Sequence, residues 1–385
     1  MISFDNTENA FKSKSNKNLK QSYWLFKLIG NPAIVNLGAA LGPLSLKIGF
    51  KSLIKNTIFK QFVGGESITE CNNAIEELSK YNIGTILDYS VEGKESEQDF
   101  EKCFNETIRT IEKAYNDKNI PFCVFKVTGL ARFVLLEKIS LNQTLTETEK
   151  IEWQNVEKRV NTICETAANK NQAIFVDAEE SWIQPAIDEL VNKNMAIHNK
   201  QDVIVYNTYQ LYRHDRLTFL QNTLNDALKN NYKVGAKLVR GAYMEKERKR
   251  AIEKNYTSPI QPNKQNSDND YNNALTFCVE NINSIALCAG THNEESSLHL
   301  VNLMQKHNLT PNDKRIYFSQ LYGMSDHISY NLSLNNYNVA KYVPYGPVNE
   351  VLPYLIRRAQ ENTSVKGQTG RELNLILKEK KRRSL

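Results

Sequence analysis

The sequence predicts an α/β fold, a distorted (β/α)8 TIM barrel preceded by a helical arm. Three observations carry this reading. Eight short runs rich in β-branched and aromatic residues recur along the 385 residues, helix-like sequence separates them, and no G-x-G-x-x-G follows any of them. Strand–helix alternation implies a parallel sheet covered by helices. Eight repeats favour closure over an open sheet, and the missing glycine fingerprint weakens a dinucleotide-binding sheet further.

The runs are IGTILDYS (83–90), FCVFKVTGL (122–130), AIFVDAEE (173–180) and VIVYNTYQ (203–210), then VGAKLVRG (234–241), IALCAGTHN (285–293), IYFSQLYG (316–323) and VAKYVPYG (339–346). Between strands the apolar spacing is helical. In 215–230, Leu217, Leu220, Leu224, Ala227 and Leu228 fall on one face. Two connections are long. Residues 131–172 are expected to hold an extra helix, and 242–284 to begin with a charged helix and pass through SPIQPNKQNSDND, a loop by composition. Long βα connections on a barrel lie at its C-terminal face, where active sites sit.

Around this barrel, expected over 76–370, stand an N-terminal basic arm (1–75) and a basic C-terminal tail (371–385). Residues 1–62 carry +7, the last fifteen residues +4, and the middle of the chain about −5. Basic ends on a faintly acidic body suit an anionic surface, although such runs also serve as solubilising tails. Leu28–Leu46 is uncharged for nineteen residues but holds two prolines, two asparagines and three glycines. That is poor material for a spanning helix, and fits helices packed on the body or lying at a membrane interface. Hydrophobic content of 41% permits a large core. The six cysteines show no paired spacing and read as free thiols, and the polar N-terminus shows no secretory leader.

Polar residues at strand C-termini are the candidates for chemistry. An inward charge on a barrel strand is costly unless paired or functional. Lys126 follows FCVF and Asp177 follows AIFV, so the two form either a structural ion pair or a polar floor under a ligand. In AKLVRGAYMEKER, Lys237 and Arg240 flank an apolar pair and Gly241 permits close backbone approach. Two cations beside a glycine turn suit a phosphate or an electron-rich ring, or simply a solvated turn. In GTHNEESS, Thr291 or Asn293 is a candidate helix cap, and His292 precedes a helix N-terminus that favours an anion. The histidines are dispersed with no HxH or HExxH, so no metal site is expected. After the eighth run, Tyr354, Arg357, Arg358 and Glu361 fall within about a 100° helical stripe. Val348, Val351, Leu352, Leu355 and Ala359 fill the neighbouring face and are expected to pack on the barrel. The polar stripe is either a salt-bridged surface or a carboxylate clamp supported by Glu361.

These stretches resemble the proline dehydrogenases, of the monofunctional type similar to the mitochondrial enzymes. FKVTGL, FVDAEESWIQPAI, YNTYQLY, GAKLVRGAYMEKER, THNEES, YFSQLYGMSDHIS and KYVPYGPVNEVLPYLIRRAQEN occur in the family's order between about residues 83 and 365. The resemblance implies a barrel that binds FAD non-covalently, oxidises L-proline to Δ1-pyrroline-5-carboxylate and passes electrons to a membrane quinone. It implies that Arg357 and Arg358 grip the proline carboxylate with Glu361 steadying them. Tyr342, Tyr354 and Leu321 would pack on the ring, with Tyr243 near the substrate and Lys126 and Asp177 as polar floor. Lys237 and Arg240 would lie against the flavin, lined by Gln210, Val239, Gly241 and Ala242, with Thr291, His292 and Asn293 at its pyrophosphate or adenosine. Tyr342 fits proline, because hydroxyproline-preferring members tend to have a smaller residue there. The expected partners are L-proline, a membrane quinone and an anionic membrane surface, with no nucleic acid. The expected place is the cytoplasmic side of an inner membrane, or the cytoplasm. The residues leave open a hydroxyproline dehydrogenase, a Schiff-base lyase on Lys126, and a non-enzymatic membrane scaffold.

Overall fold

A computed structural model of the chain describes residues 2–31, 33, 35, 51–90, 94–364 and 368–385; of residues 51, 53 and 360–369 it describes no side chain. Eight parallel strands follow one another in sequence order around a closed barrel. They are β1 (Ile83–Tyr89), β2 (Phe122–Phe125), β3 (Ala173–Val176), β4 (Val205–Gln210), β5 (Val234–Val239), β6 (Ile285–Gly290), β7 (Ile316–Leu321) and β8 (Val339–Tyr345). Every expected run contains one of them. Several end a residue or more before the polar group that follows, so Lys126, Asp177 and Arg240 stand just past β2, β3 and β5.

Besides short helical turns such as those within 51–62, the helices include α1 (Thr7–Ala10), α2 (Asn16–Ile29), α3 (Asn72–Ser79), α4 (Glu97–Tyr115), α5 (Phe133–Ser140), α6 (Glu147–Asn169), α7 (Gln184–His198) and α8 (Arg216–Lys229). They continue as α9 (Met244–Glu253), α10 (Lys264–Glu280), α11 (Glu294–Lys306), α12 (Asp326–Leu334), α13 (Val348–Ser364) and α14 (Gln368–Arg382). By contact the chain forms two compact units, Glu92–Ser319 and the two ends together, Met1–Val91 with Gln320–Leu385.

In the unit spanning Glu92–Ser319, β2 through β7 pair in parallel, for example Phe125↔Val176, Thr208↔Lys237 and Gly290↔Ser319. Strand alternation puts Phe175 and Asp177 on one face. Phe122 and Phe175 stack there, ring centroids 4.3 Å apart, with Tyr206 and Tyr317 edge-on to Phe122. The 131–172 connection holds α5 and α6, and α6 begins with a complete capping box between Thr146 and Glu149. One expectation fails in this unit. Residues 264–270, read as loop from their polar composition, are the first turns of α10, capped by Asn263 accepting from the Asn266 N–H. A cap can start a helix in sequence with little apolar periodicity. Leu220, Leu224 and Ala227 of α8 are buried, and Leu228, at the edge of the same face, is 55% exposed.

In the other unit, β1 and β8 pair from Ile83↔Val339 to Tyr89↔Tyr345. Val348, Val351, Leu352, Leu355 and Ala359 of α13 are all buried. All but Leu352 share one cluster with Leu19 and Phe26 of α2, Phe59, Phe62, and Leu375 and Ile376 of α14. The apolar stripe of α13 therefore packs in a cluster that includes the terminal helices and, at its edge, Leu321 at the end of β7. Most of residues 371–385 is helical. Buried Glu379 accepts from Arg382 and Arg383, and Arg383 also donates to the Phe11 and Lys14 carbonyls. Most of the 28–46 segment lies outside the described residues. Among those described, no helix is long and apolar enough to cross a membrane.

Candidate active site

Two sets of sequence-selected residues are built by the two units. In the first, β5 delivers Lys237, buried, with its ammonium paired to the Asp177 carboxylate and 5.6 Å from the centroid of Phe175. Asp177 is thus an ion-pair partner of Lys237, a pairing the sequence does not indicate. The charge of Lys126 bears on Glu179, which sits beyond β3. Glu179 accepts from the Thr128 N–H (3.0 Å) and from the Thr128 hydroxyl, while its own N–H donates to Gln184 Oε1 (2.8 Å). Burial pushes its carboxyl up to about 7, against the pull of Thr128 and Lys126. The folded protein then holds a proton there that the unfolded chain releases near pH 4.5. Stability from this group is present below the unfolded value and is lost as pH rises towards about 7. Glu179→Gln is expected to raise unfolding free energy relative to the parent by about 3 kcal/mol at pH 7.5 and by little at pH 4.5. Urea melts at the two pH values check this.

Arg240 is locked in place. Its Nε donates to Asp268 Oδ1 (2.7 Å), Nη1 to Thr291 Oγ1 (2.8 Å) and Nη2 to Ser296 Oγ (2.9 Å), and the guanidinium carbon lies 4.4 Å from the Tyr271 ring centroid. Burial works against the Asp268 carboxylate, but hydrogen bonds from Lys264 and Arg240 outweigh it and hold its pKa below the ordinary value. These partners come from α10, from the turn after β6 and from the first turn of α11. Sequence reasoning missed Asp268, whose one signal is its four-residue spacing from Lys264. Asn293 is the α11 N-cap, accepting from the Ser296 N–H (2.8 Å), and donates its own N–H to Thr291 Oγ1 (3.1 Å). Thr291 is buried and His292 half-buried beside it.

Past β5 the chain turns sharply. Gly241 has φ +137°, and a Cβ there would run into the Tyr212 ring, so only glycine fits. The Leu211 and Tyr212 N–H groups donate to the Val239 and Arg240 carbonyls (2.8 Å each), which carries the β4–β5 pairing beyond the strands. Ala242 is exposed, Val239 and Tyr243 half-buried. Gln210, at the end of β4, is buried, and its Oε1 has no hydrogen-bond partner among the described residues. A buried acceptor left unmet is costly, and a ligand N–H would satisfy it. Lys237, Arg240, the glycine turn and this acceptor fit a flavin: an N–H-bearing ring edge for Gln210, and positive charge for the negative charge such a ring gains on reduction.

The second set is in the unit of the chain ends. Tyr342 of β8 and Tyr354 of α13 are buried, Arg357 and Arg358 half-buried, and the Arg358 guanidinium carbon lies 5.3 Å from the Tyr354 ring centroid. The side chain of Glu361 lies outside the described residues. Leu321, at the end of β7, is half-buried against the apolar cluster. The turn after it is fixed from three sides. Lys341 Nζ donates to the Met324 carbonyl and to Asp326 Oδ1 (2.6 Å each), Gln61 Nε2 to the Gly323 carbonyl (2.8 Å), and the Ser325 N–H to Glu372 (2.5 Å). The Tyr322 N–H donates to the Tyr342 carbonyl (2.8 Å), which sets Leu321 and Tyr342 on neighbouring backbone. Sequence reasoning missed Lys341, Asp326 and Glu372, which lie far apart in the chain. Among the described residues no group of three or more His, Cys, Asp or Glu side chains could hold a metal ion. The six cysteines are free and buried, and burial raises the thiol pKa of those such as Cys71 and Cys288.

The family model described as proline dehydrogenase matches residues 71–371. Proline dehydrogenase 1, mitochondrial, of Dictyostelium discoideum is 34% identical over 98% of this chain and 74% of that protein. The hydroxyproline dehydrogenase of Xenopus laevis is 29% identical over 97% of this chain and 89% of that protein. Among solved structures, proline utilization A of Bdellovibrio bacteriovorus shares the fold with a TM-score of 0.74 at 19% identity; the match covers 93% of this chain and 38% of that one. The chain is thus a (β/α)8-barrel oxidoreductase. It belongs to the proline dehydrogenase family. Membership sets aside the lyase and scaffold readings.

Proposed function

We propose that this chain oxidises L-proline to Δ1-pyrroline-5-carboxylate with non-covalently bound FAD and passes the electrons to a membrane quinone, the first step in degrading proline to glutamate. The observation that carries the flavin part is the buried acceptor of Gln210 near the close-approach turn at Gly241, on strands that also deliver Lys237 and Arg240. Bound FAD would take the hydride that leaves the ring carbon next to the proline nitrogen. Arg357 and Arg358 hold the substrate carboxylate, a bidentate task that suits guanidinium. Glu361 supports them, and Tyr342, Tyr354, Leu321 and Tyr243 confine the ring. Lys126 and Asp177 set the polar floor, and Lys237, Arg240, Gln210, Val239, Gly241 and Ala242 hold the flavin. Thr291, His292 and Asn293 meet its phosphate or adenosine part. The cations disfavour an ammonium substrate, so proline binds as the neutral amine whose lone pair drives hydride loss.

In the same proposal residues 76–370 are the catalytic barrel, and the arm 1–75 and the tail 371–385 serve an anionic membrane surface. That places the enzyme peripherally, at the cytoplasmic face of an inner membrane, or in the cytoplasm. The similarity to the Xenopus laevis hydroxyproline dehydrogenase motivates a second reading. Anaerobic titration of the flavin absorbance tests both. Bleaching by L-proline with little response to trans-4-hydroxy-L-proline is expected. The opposite preference would establish the second reading, and a protein that takes up no FAD would end both.

A further inference from the structure

The outer face of α2 is built unlike an ordinary solvated surface. Lys17, Lys20, Trp24, Lys27 and Leu28 lie within about a 100° stripe, opposite the buried Leu19, Ser22, Phe26 and Ile29. Trp24 is 59% exposed and Leu28 50%. The Lys27 ammonium lies 5.1 Å from the Trp24 ring centroid and 5.9 Å from that of Tyr23. The helix Asn16–Ile29 contains no acidic residue. Helix α14 packs against α2, with the Lys380 ammonium 4.0 Å over Tyr23, and it exposes Leu377 (43%) and Lys381. Among the described residues Lys17, Lys20, Lys27 and Lys381 form no ion pair. In sequence, α2 runs directly into the uncharged Leu28–Leu46 segment.

We propose that this stripe of α2, together with Leu377 and Lys381 of α14, docks the enzyme on an anionic lipid bilayer, with Trp24 and Leu28 entering the headgroup boundary. The proposal deepens the membrane-quinone reading above and rests on it. Each part has a physical reason. Tryptophan favours the interface because one ring edge is apolar and the other a donor. Lysines bury their stems beside it while their ammonium groups reach lipid phosphates. A stripe of one charge sign repels a second copy of itself, so it suits an anionic surface better than self-association. Helices with an apolar edge and a lysine-rich flank lie flat in the interface rather than across it.

Flotation of the full chain with vesicles tests the proposal. Binding to phosphatidylglycerol–phosphatidylcholine vesicles is expected, with little to pure phosphatidylcholine and release as salt rises. Lys20→Glu with Lys27→Glu, and separately Trp24→Ser with Leu28→Ser, are each expected to cut partitioning by more than about tenfold. Proline oxidation with a soluble dye acceptor should be unchanged in both. Trp24 emission in the unaltered protein should be quenched by brominated anionic lipid, a component absent from Trp24→Ser. Vesicle binding untouched by both double variants, binding to neutral vesicles as strong as to anionic ones, or a dimer that dissociates in the variants without any lipid binding would each overturn the face. Loss of proline–dye activity with vesicle binding intact would instead strike the catalytic reading alone.

Discussion

Replacing Arg357 and Arg358 together by methionine is expected to lower kcat/KM for L-proline by on the order of 10³–10⁴, with flavin content unchanged. Charge-assisted hydrogen bonds contribute about 1.5–3 kcal/mol each, and truncating one side of a desolvated charge pair costs about 2–5 kcal/mol. On the proposed clamp, two guanidiniums on one carboxylate would give several kcal/mol of substrate binding. Because the carboxylate is not the reacting centre, most of the loss should appear in KM. Each single variant should lose about 10²-fold. Arg358→Lys should not recover the parent value, because the guanidinium also lies against the Tyr354 ring and an ammonium offers no planar fork. Both arginines are half-buried and α13 is anchored by Val348, Val351 and Leu355, so thermal stability should shift only slightly. A double variant with KM within threefold of the parent would show that the pair is a surface feature.

Much of this architecture is legible in the sequence, for reasons that differ by element. The strands declare themselves because barrel strands are buried on both faces, and AIFV or FCVF admits little else. Polar residues at or near their ends, Lys126, Asp177, Lys237, Arg240 and Gln210 among them, stand out against those runs. Partners are another matter. Lys237 meets Asp177, and Arg240 meets Asp268, Thr291 and Ser296, across separations that no local pattern encodes. The start of α10 was hidden because its first turns hold Asn, Gln, Ser and Asp, whose place in a helix rests on the Asn263 cap and not on periodicity. The basic C-terminal run concealed a helix for a similar reason. Its sequence advertises charge, whereas its fold depends on two buried apolar residues and on Glu379 receiving Arg382 and Arg383. That α2 and α14 share the α13 cluster is not legible, because apolar stripes show which face is covered, not what covers it.

The Lys237–Asp177 pair separates structural from electronic roles most sharply. Lys237→Met removes one ion-pair partner from the largely buried Asp177 carboxylate, and breaking such a pair costs about 3–5 kcal/mol. A fall in Tm of roughly 5 °C or more is expected. Adding Asp177→Asn removes the negative charge that Lys237 had balanced, so the double variant should regain much of that stability. If Lys237 also stabilises negative charge on the reduced flavin ring, the double variant should keep a lowered flavin reduction potential despite its restored fold. One kcal/mol of lost stabilisation corresponds to roughly 20 mV for a two-electron couple, so a drop of some tens of millivolts is expected. Spectroelectrochemistry of parent, single and double variants reads this directly, independent of turnover. A double variant with restored Tm and the parent potential would confine Lys237 to holding β5 against the end of β3, and Arg240 would then be the remaining cation of the β5 end to set the flavin's electronics.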